Sequence, residues 1–291
     1  MQQPTTVTLG NLTDHLQGQD LHQVLHPQVW SPVFLRALKI RLIEKVTGAW
    51  FLYGAPDSIL EKPELIELTE GIRGVKKPYG DVDNHRTSQI DFIVALGVIL
   101  ETCTEARHAE HFVAFVIKYL TDYVLLSSHK CIIDNYHGWD TPVNLWLRFK
   151  GLRRFFNPAI AVSCSSNRAP VLTVVTPSAL HGNPNCQIVG YLLAIAQKGF
   201  RIRRQRFEER PYLVRLAAGS RAWFAKIAVS RKYLDTLENG TIAEDEEGFG
   251  VEITDVYDLK DADQRAAFVT ALTCVYAKSL KYENLLHRSY Y

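Results

Sequence analysis

The apolar pattern along the chain becomes regular only after residue 30. Residues 1–30 are mostly polar, include His15, His22 and His26, and show little periodicity, so they predict a tail or a wrapped arm. Ser31-Pro32 then gives a helix start, a capping hydroxyl followed by proline at the first helical position. Val33, Leu35, Leu38, Leu42 and Ile43 carry the apolar positions of that helix to about Val46. Residues 49–53 predict a short strand ending at Gly54, and Asp57 or Ser58 opens a weaker helical segment that fades by Gly71. Residues 74–86, rich in charge, glycine and proline, predict a loop. Helical stretches at 88–102 and 105–126 follow, with Thr104 as an N-cap between them, so this half reads as mostly helical.

The second half changes period. The β-branched run 170–176 predicts a buried strand, closed by Pro177. Residues 187–198 predict an apolar helix ended by Gly199. Strands are expected at 200–207, 212–217, 222–229 and 250–257, with Asn239-Gly240 as a turn before the last of them. Asp261 or Asp263 caps a closing helix to about Leu286. No internal repeat is visible, so the expectation is a polar arm over 1–30 and one α/β domain over 31–291. Within it, 31–155 is mainly helical and 156–291 is sheet-rich.

Composition supports a packed core, with 47% hydrophobic and 22% charged residues in 291. The formal charge of +2 supplies no global field toward nucleic acid or membrane, so polyanion binding requires a local patch. Five cysteines without a CxxC spacing predict reduced, mostly buried thiols. The N-terminus lacks a signal-peptide pattern, and the apolar runs 90–100 and 112–126 carry Asp91, Lys118 and Asp122. The expected location is therefore intracellular, cytoplasmic or nuclear, with no membrane partner and the sequons at Asn11 and Asn239 unused.

Each candidate for chemistry has a plainer competitor. Glu101, Glu105, His108 and His111 share part of a helix face, but their spacing drifts around it, which favours a solvated surface over a metal site. Arg201, Arg203, Arg204 and Arg206, followed by Arg210, Arg215 and Arg221, offer guanidiniums to phosphate or carboxylate along the expected strand. The competing reading there is a charge-guarded sheet edge balanced by Glu208 and Glu209. Glu244, Asp245, Glu246 and Glu247, leading to Glu252, Asp255 and Asp258, read as a solvated loop rather than a cation site. Asp134, His137 and Asp140 flank an aromatic loop suited to a ligand wall, and His137 is placed to titrate near neutrality. Ser178 and His181 lack a nucleophile-elbow setting, and neither a phosphate-cradling loop nor a dinucleotide fingerprint occurs.

Four segments together resemble the fungal branch of the PD-(D/E)XK nuclease-like family. They are the apolar run 171–175, the glutamine-led stretch Gln187-Ile-Val-Gly-Tyr-Leu-Leu-Ala-Ile-Ala-Gln, the run Gly219-Ser220-Arg221-Ala222-Trp223-Phe224, and Gly250-Val-Glu-Ile-Thr-Asp-Val-Tyr. The resemblance implies a restriction-endonuclease-like mixed sheet flanked by helices. It also places Val175 where the family has its metal-binding glutamate and Pro177 where it has its lysine. Neither side chain supplies that chemistry, so the resemblance implies a degenerate site without metal or cofactor. Thr176, His181, Gln187, Arg221 and Glu252 are expected around the altered pocket.

Two functions follow as expectations. The first is a repurposed enzyme acting on a small or carrier-borne substrate, as in fungal specialised metabolism, with His181, His137 and Gln187 as catalytic candidates. Arg201, Arg203, Arg221, Glu252 and Thr176 would then bind substrate or anion. The second is a non-catalytic protein, either binding nucleic acid or anions through the arginine segment or acting as a pseudo-enzyme or interaction module through its surface rather than a pocket. A synthase drawing on aminoacyl-tRNA would combine the two.

Overall fold

A computed structural model describes residues 30–46, 63–74, 131–134, 145–149, 151–156, 160–164, 170–175, 183–203, 212–217, 221–240, 242 and 247–288. Ser31 opens α1 (Pro32–Ala37) as expected, its hydroxyl accepting from the Phe34 N–H at 3.3 Å with proline in the first turn. Trp30, just before it, packs on Phe34 with ring centroids 4.5 Å apart. The expected helix to Val46 is corrected. After Lys39 the chain becomes β1 (Ile40–Val46), in which Ile40 and Leu42 join the core while Arg41 and Ile43 face solvent. That alternation has the period of a strand, and pairing with a distant partner outweighs the local helical spacing.

Beyond α2 (Pro63–Gly74) come β2 (Cys131–Asp134), the hairpin β3 (Leu145–Phe149) and β4 (Leu152–Phe156), and β5 (Ile160–Cys164). The expected run at 170–176 forms β6 (Pro170–Val175), and the apolar helix forms α3 (Pro184–Arg203). Here a second correction applies. Arg201 and Arg203 lie in the last turn of α3 and not on a strand, because the helix continues through the buried Gly199. The strands β7 (Tyr212–Ala217), β8 (Arg221–Ile227) and β9 (Phe249–Thr254) form where the pattern predicts, and β10 (Tyr257–Asp258) adds a short ladder. The turn expected at Asn239-Gly240 closes a helix the pattern did not predict, α4 (Arg231–Asn239), with Gly240 at φ +72°. The closing helix is α5 (Ala262–Arg288), capped by Asp261, whose carboxylate accepts from the Gln264 N–H at 2.9 Å.

The strands are ordered β1-β9-β8-β7-β6-β5-β2, with β10 also on β8. Two pairs are parallel, β1 with β9 and β6 with β7. The second is joined by α3, since a parallel return needs a crossover long enough to traverse the sheet. Alternate residues of β8 separate the two faces. Trp223, Ala225 and Ile227 belong to the core that includes α3. Phe224, pointing the other way, stacks on Phe268 of α5 at 5.1 Å. The helices α3 and α5 therefore cover opposite faces of a mixed α/β sheet.

Two polar devices close gaps in this packing. β9 and β10 both pair with β8 and leave Phe224 between their ladders, where its N–H donates to Thr254 Oγ1 at 3.0 Å. On the α5 side Arg265, only 2% exposed, donates to the carbonyls of Ile72, Leu259 and Lys260 and so ties the end of α2 to α5. Its burial is tolerated because the guanidinium makes four hydrogen bonds to backbone carbonyls. Cys186 and Cys274 are buried. Among the described residues no helix is long and apolar enough to cross a membrane. The expected arm before residue 30, the strand at 49–53, the loop expected at 74–86 beyond its first residue Gly74, which ends α2, and the helices at 88–102 and 105–126, with Glu101, Glu105, His108 and His111, lie outside the described residues.

Thr173 on β6 is fully buried, and its hydroxyl has no hydrogen-bond partner among the described residues. A dry, unpaired hydroxyl destabilises the folded state, and valine replaces it at nearly the same volume. Thr173→Val is expected to raise stability by about 1 kcal/mol, measured as a higher denaturant midpoint at unchanged slope.

Tyr257 gives a pH prediction. Burial, then the charges of Asp255 and Cys274, push its phenol above the ordinary value. The folded protein thus keeps a proton that the unfolded chain releases, so this contribution is complete below about pH 10 and is lost as pH rises beyond it. Tyr257→Phe is expected to lose less stability than the natural protein between about pH 9.5 and 11 in pH-dependent denaturant titrations.

Candidate nucleic-acid interface

The hairpin β3–β4 shields the side of α3 turned away from the sheet. Leu145, Leu147 and Phe149 are buried and join the core with α3, whereas Trp146 and Arg148 alternate with them and stay partly exposed. Gly151, at φ +73°, supplies the left-handed turn that brings β4 back in register. The open edge of β3 is satisfied by one side chain. Gln197 of α3 accepts from the Arg148 N–H at 2.8 Å and donates to its carbonyl at 3.0 Å, imitating a neighbouring strand.

This anchoring fixes what the outer face displays. Trp146 stands opposite Phe155, with ring centroids 5.3 Å apart, and Arg148 stands opposite Arg153. The Arg153 guanidinium lies 4.9 Å from the centre of the Trp146 ring. Arg201, from the last turn of α3, and Arg148 both pair with Glu238 of α4, the latter at 3.7 Å. Two guanidiniums therefore share a single carboxylate, and a third, that of Arg153, stands across the ladder from one of them. Desolvation, then the charge of Arg201, lowers the pKa of Arg148, Glu238 opposes that shift, and Arg153 adds to it. Like charges directly across a ladder repel, so the surface holds excess positive potential beside two aromatic rings. Its chemistry suits phosphates through the guanidinium forks and flat bases through the rings.

Of the residues expected around a pocket, Gln187 lies on the first turn of α3 and is 1% exposed. Glu252 pairs with Lys226 at 3.3 Å. Its neighbours Val251 and Ile253 point into the core with α3, so Glu252 stands on the opposite face of the sheet. Gln187, on α3, and Glu252 therefore lie on opposite sides of the sheet. Arg221 is exposed at the start of β8, opposite Asp258 in the ladder with β10. Arg203 closes α3 two residues after Arg201. Asp134 ends β2, and Glu247 leads into β9. Thr176, Pro177, Ser178, His181, His137, Asp140, Arg204, Arg206, Arg210 and the acidic residues 244–246 lie outside the described residues. No group of three or more His, Cys, Asp or Glu side chains able to hold a metal occurs among the described residues.

Arg148, Arg153, Trp146 and Glu238 were not among the residues expected to matter. A signal for the first three was present: Leu145, Leu147 and Phe149 alternate with Trp146 and Arg148, and Lys150-Gly151 follows as a hairpin turn. Glu238 had no such signal, since only the packing of α4 brings it to the hairpin.

Removing the shared carboxylate tests the electrostatics. Glu238→Gln is expected to lower stability by about 1 kcal/mol at low salt, with part of the loss recovered as salt screens the guanidinium repulsion. Denaturant midpoints at two ionic strengths check it. Comparison with protein families finds no match for this chain, and comparison with functionally characterised proteins finds none either.

Proposed function

We propose that this chain is a diverged nuclease-like scaffold that holds single-stranded nucleic acid on the outer face of β3–β4 without cutting it. The observation that carries this reading is the sharing of Glu238 by Arg148 and Arg201, with Arg153 opposite Arg148 and the Trp146–Phe155 pair alongside. Guanidiniums track a phosphate backbone, and rings stack on bases without reading their sequence. Arg201, singled out in the chain as a candidate anion ligand, belongs to this cluster.

The nuclease-like part of the proposal has separate support. The segments that carry the resemblance fall on β6, α3, β8 and β9, and β6, β7, β8 and β9 are consecutive neighbours in the sheet. Val175, aligned with the family's metal-binding glutamate, is 1% exposed and packs in the core with α3. A carboxylate at that depth would need a compensating cation. A restriction-endonuclease-like arrangement with an apolar contact at its former centre accounts for these placements together.

Fluorescence anisotropy with a labelled oligothymidylate tests the function. Affinity is expected to fall steeply with salt, and Arg148→Ala and Arg201→Ala are each expected to reduce the log–log salt slope by roughly 0.7. Trp146→Ala is expected to weaken binding by about tenfold while leaving that slope intact, because it removes stacking and not charge. Failure to bind the oligonucleotide at about 20 mM salt, where phosphate contacts are strongest, would sink the proposal.

A further inference from the structure

Two cysteines stand opposite each other at the margin of the sheet. β2 and β5 form an antiparallel ladder, and its register sets Cys131, the first residue of β2, against Cys164, the last of β5. Directly opposed residues of such a ladder share one face, with Cα atoms about 4.5 or about 5.5 Å apart according to their hydrogen bonding. A disulfide takes Cα separations of roughly 4.4–6.8 Å, so either kind of pair admits a cross-strand bond without a shift of the backbone. Cys186 on α3 and Cys274 on α5 are placed differently. Both are fully buried, and the sheet between their helices keeps the two apart. Cys103 lies outside the described residues.

A bond at this place has a mechanical consequence. β2 ends the strand order of the described sheet and pairs with β5 alone among the described residues. Between the two cysteines the chain leaves β2, makes the β3–β4 hairpin and returns as β5. A link from Cys131 to Cys164 fastens the edge strand to an interior one and closes that whole excursion into a loop, which removes entropy from the unfolded chain. We propose that Cys131 and Cys164 are a dithiol site that reacts with low-molecular-weight disulfides and closes into a cross-strand disulfide. One protein thiolate attacks a sulfur of the small disulfide, expels a thiolate and leaves a mixed disulfide. The second protein thiolate attacks the protein sulfur of that mixed disulfide and expels the other small thiolate. Two protein thiols are oxidised, the small disulfide is reduced to two thiols, and the protons shed by the protein pass to the departing thiolates. The reduced thiols expected from the sequence are the other state of the same site, favoured where reducing thiols are in excess. The reaction does not depend on nucleic-acid binding, although the hairpin lies in the loop that the bond closes.

Glutathione disulfide is the probe. The folded full chain is reduced, freed of reductant and equilibrated with mixtures of glutathione and glutathione disulfide at about pH 8, where thiolate is available, and its remaining thiols are then alkylated. Trypsin leaves the two cysteines in separate peptides, residues 131–148 and 155–168, with no other cysteine in either. Mass spectrometry without reductant is expected to find these peptides joined, and the intact protein lighter by two hydrogen atoms with no glutathione attached. The oxidised protein is expected to melt several degrees higher than the reduced one. Cys131→Ser and Cys164→Ser are each expected to stop at the mixed disulfide on the remaining cysteine and to show no such rise. Stable glutathione adducts on both cysteines of the natural protein would overturn the proposal, as would bonds from either one to Cys103, Cys186 or Cys274. Complete alkylation of Cys131 and Cys164 after exposure to glutathione disulfide alone would overturn it as well.

Discussion

Burial of α3 on every side is the constraint around which the rest of the structure is arranged. Ile188, Val189, Leu192, Leu193 and Ile195 are all within the core, and together they span more than one helix face. A helix apolar all round cannot lie on a sheet and also face water, so a second layer must cover it. The sheet takes one side, through Val175, Trp223, Ala225 and Ile227, and the β3–β4 hairpin takes the other through Leu145, Leu147 and Phe149. Each buried aliphatic side chain contributes about 1.5–3 kcal/mol, enough in combination to hold a two-stranded hairpin that would be marginal alone.

The basic and aromatic face of the hairpin is a by-product of that cover. Once the inner positions of β3 point at α3, strand alternation forces Trp146 and Arg148 outward, and the register places Phe155 and Arg153 beside them. Gln197 makes the placement rigid by occupying the edge of β3 with its amide. The same helix then delivers Arg201 from its last turn. A basic and aromatic face therefore arises from core packing, with Glu238 holding the like charges together.

Polar groups inside the fold are satisfied by substitution for backbone. Gln197 stands in for a strand, Thr254 for a missing ladder acceptor, and Arg265 for solvent at the end of α2. Each joins elements distant in sequence, which explains why they attract no notice in the chain itself. Thr173, whose hydroxyl finds no such partner among the described residues, shows the pattern by contrast.

What the chain revealed unaided were the elements whose signals are local. Ser31-Pro32, the β-branched run of β6, the strands β7 to β9 and the Asp261 cap of α5 all read correctly, because capping and strand alternation involve residues within a few positions of one another. The helix α4 was equally marked by Ser230 and Gly240, but Asn239-Gly240 resembles a hairpin turn when the intervening Tyr233, Leu234 and Leu237 are not counted as one face. Only tertiary structure decided that Ile40 begins a strand, since its partner Phe249 is remote in sequence. Packing also carried α3 through Gly199, turning an expected arginine strand into a helix end beside Glu238. Side-chain spacing sets local conformation, whereas charges become a site only when the fold brings separate segments within reach of one another.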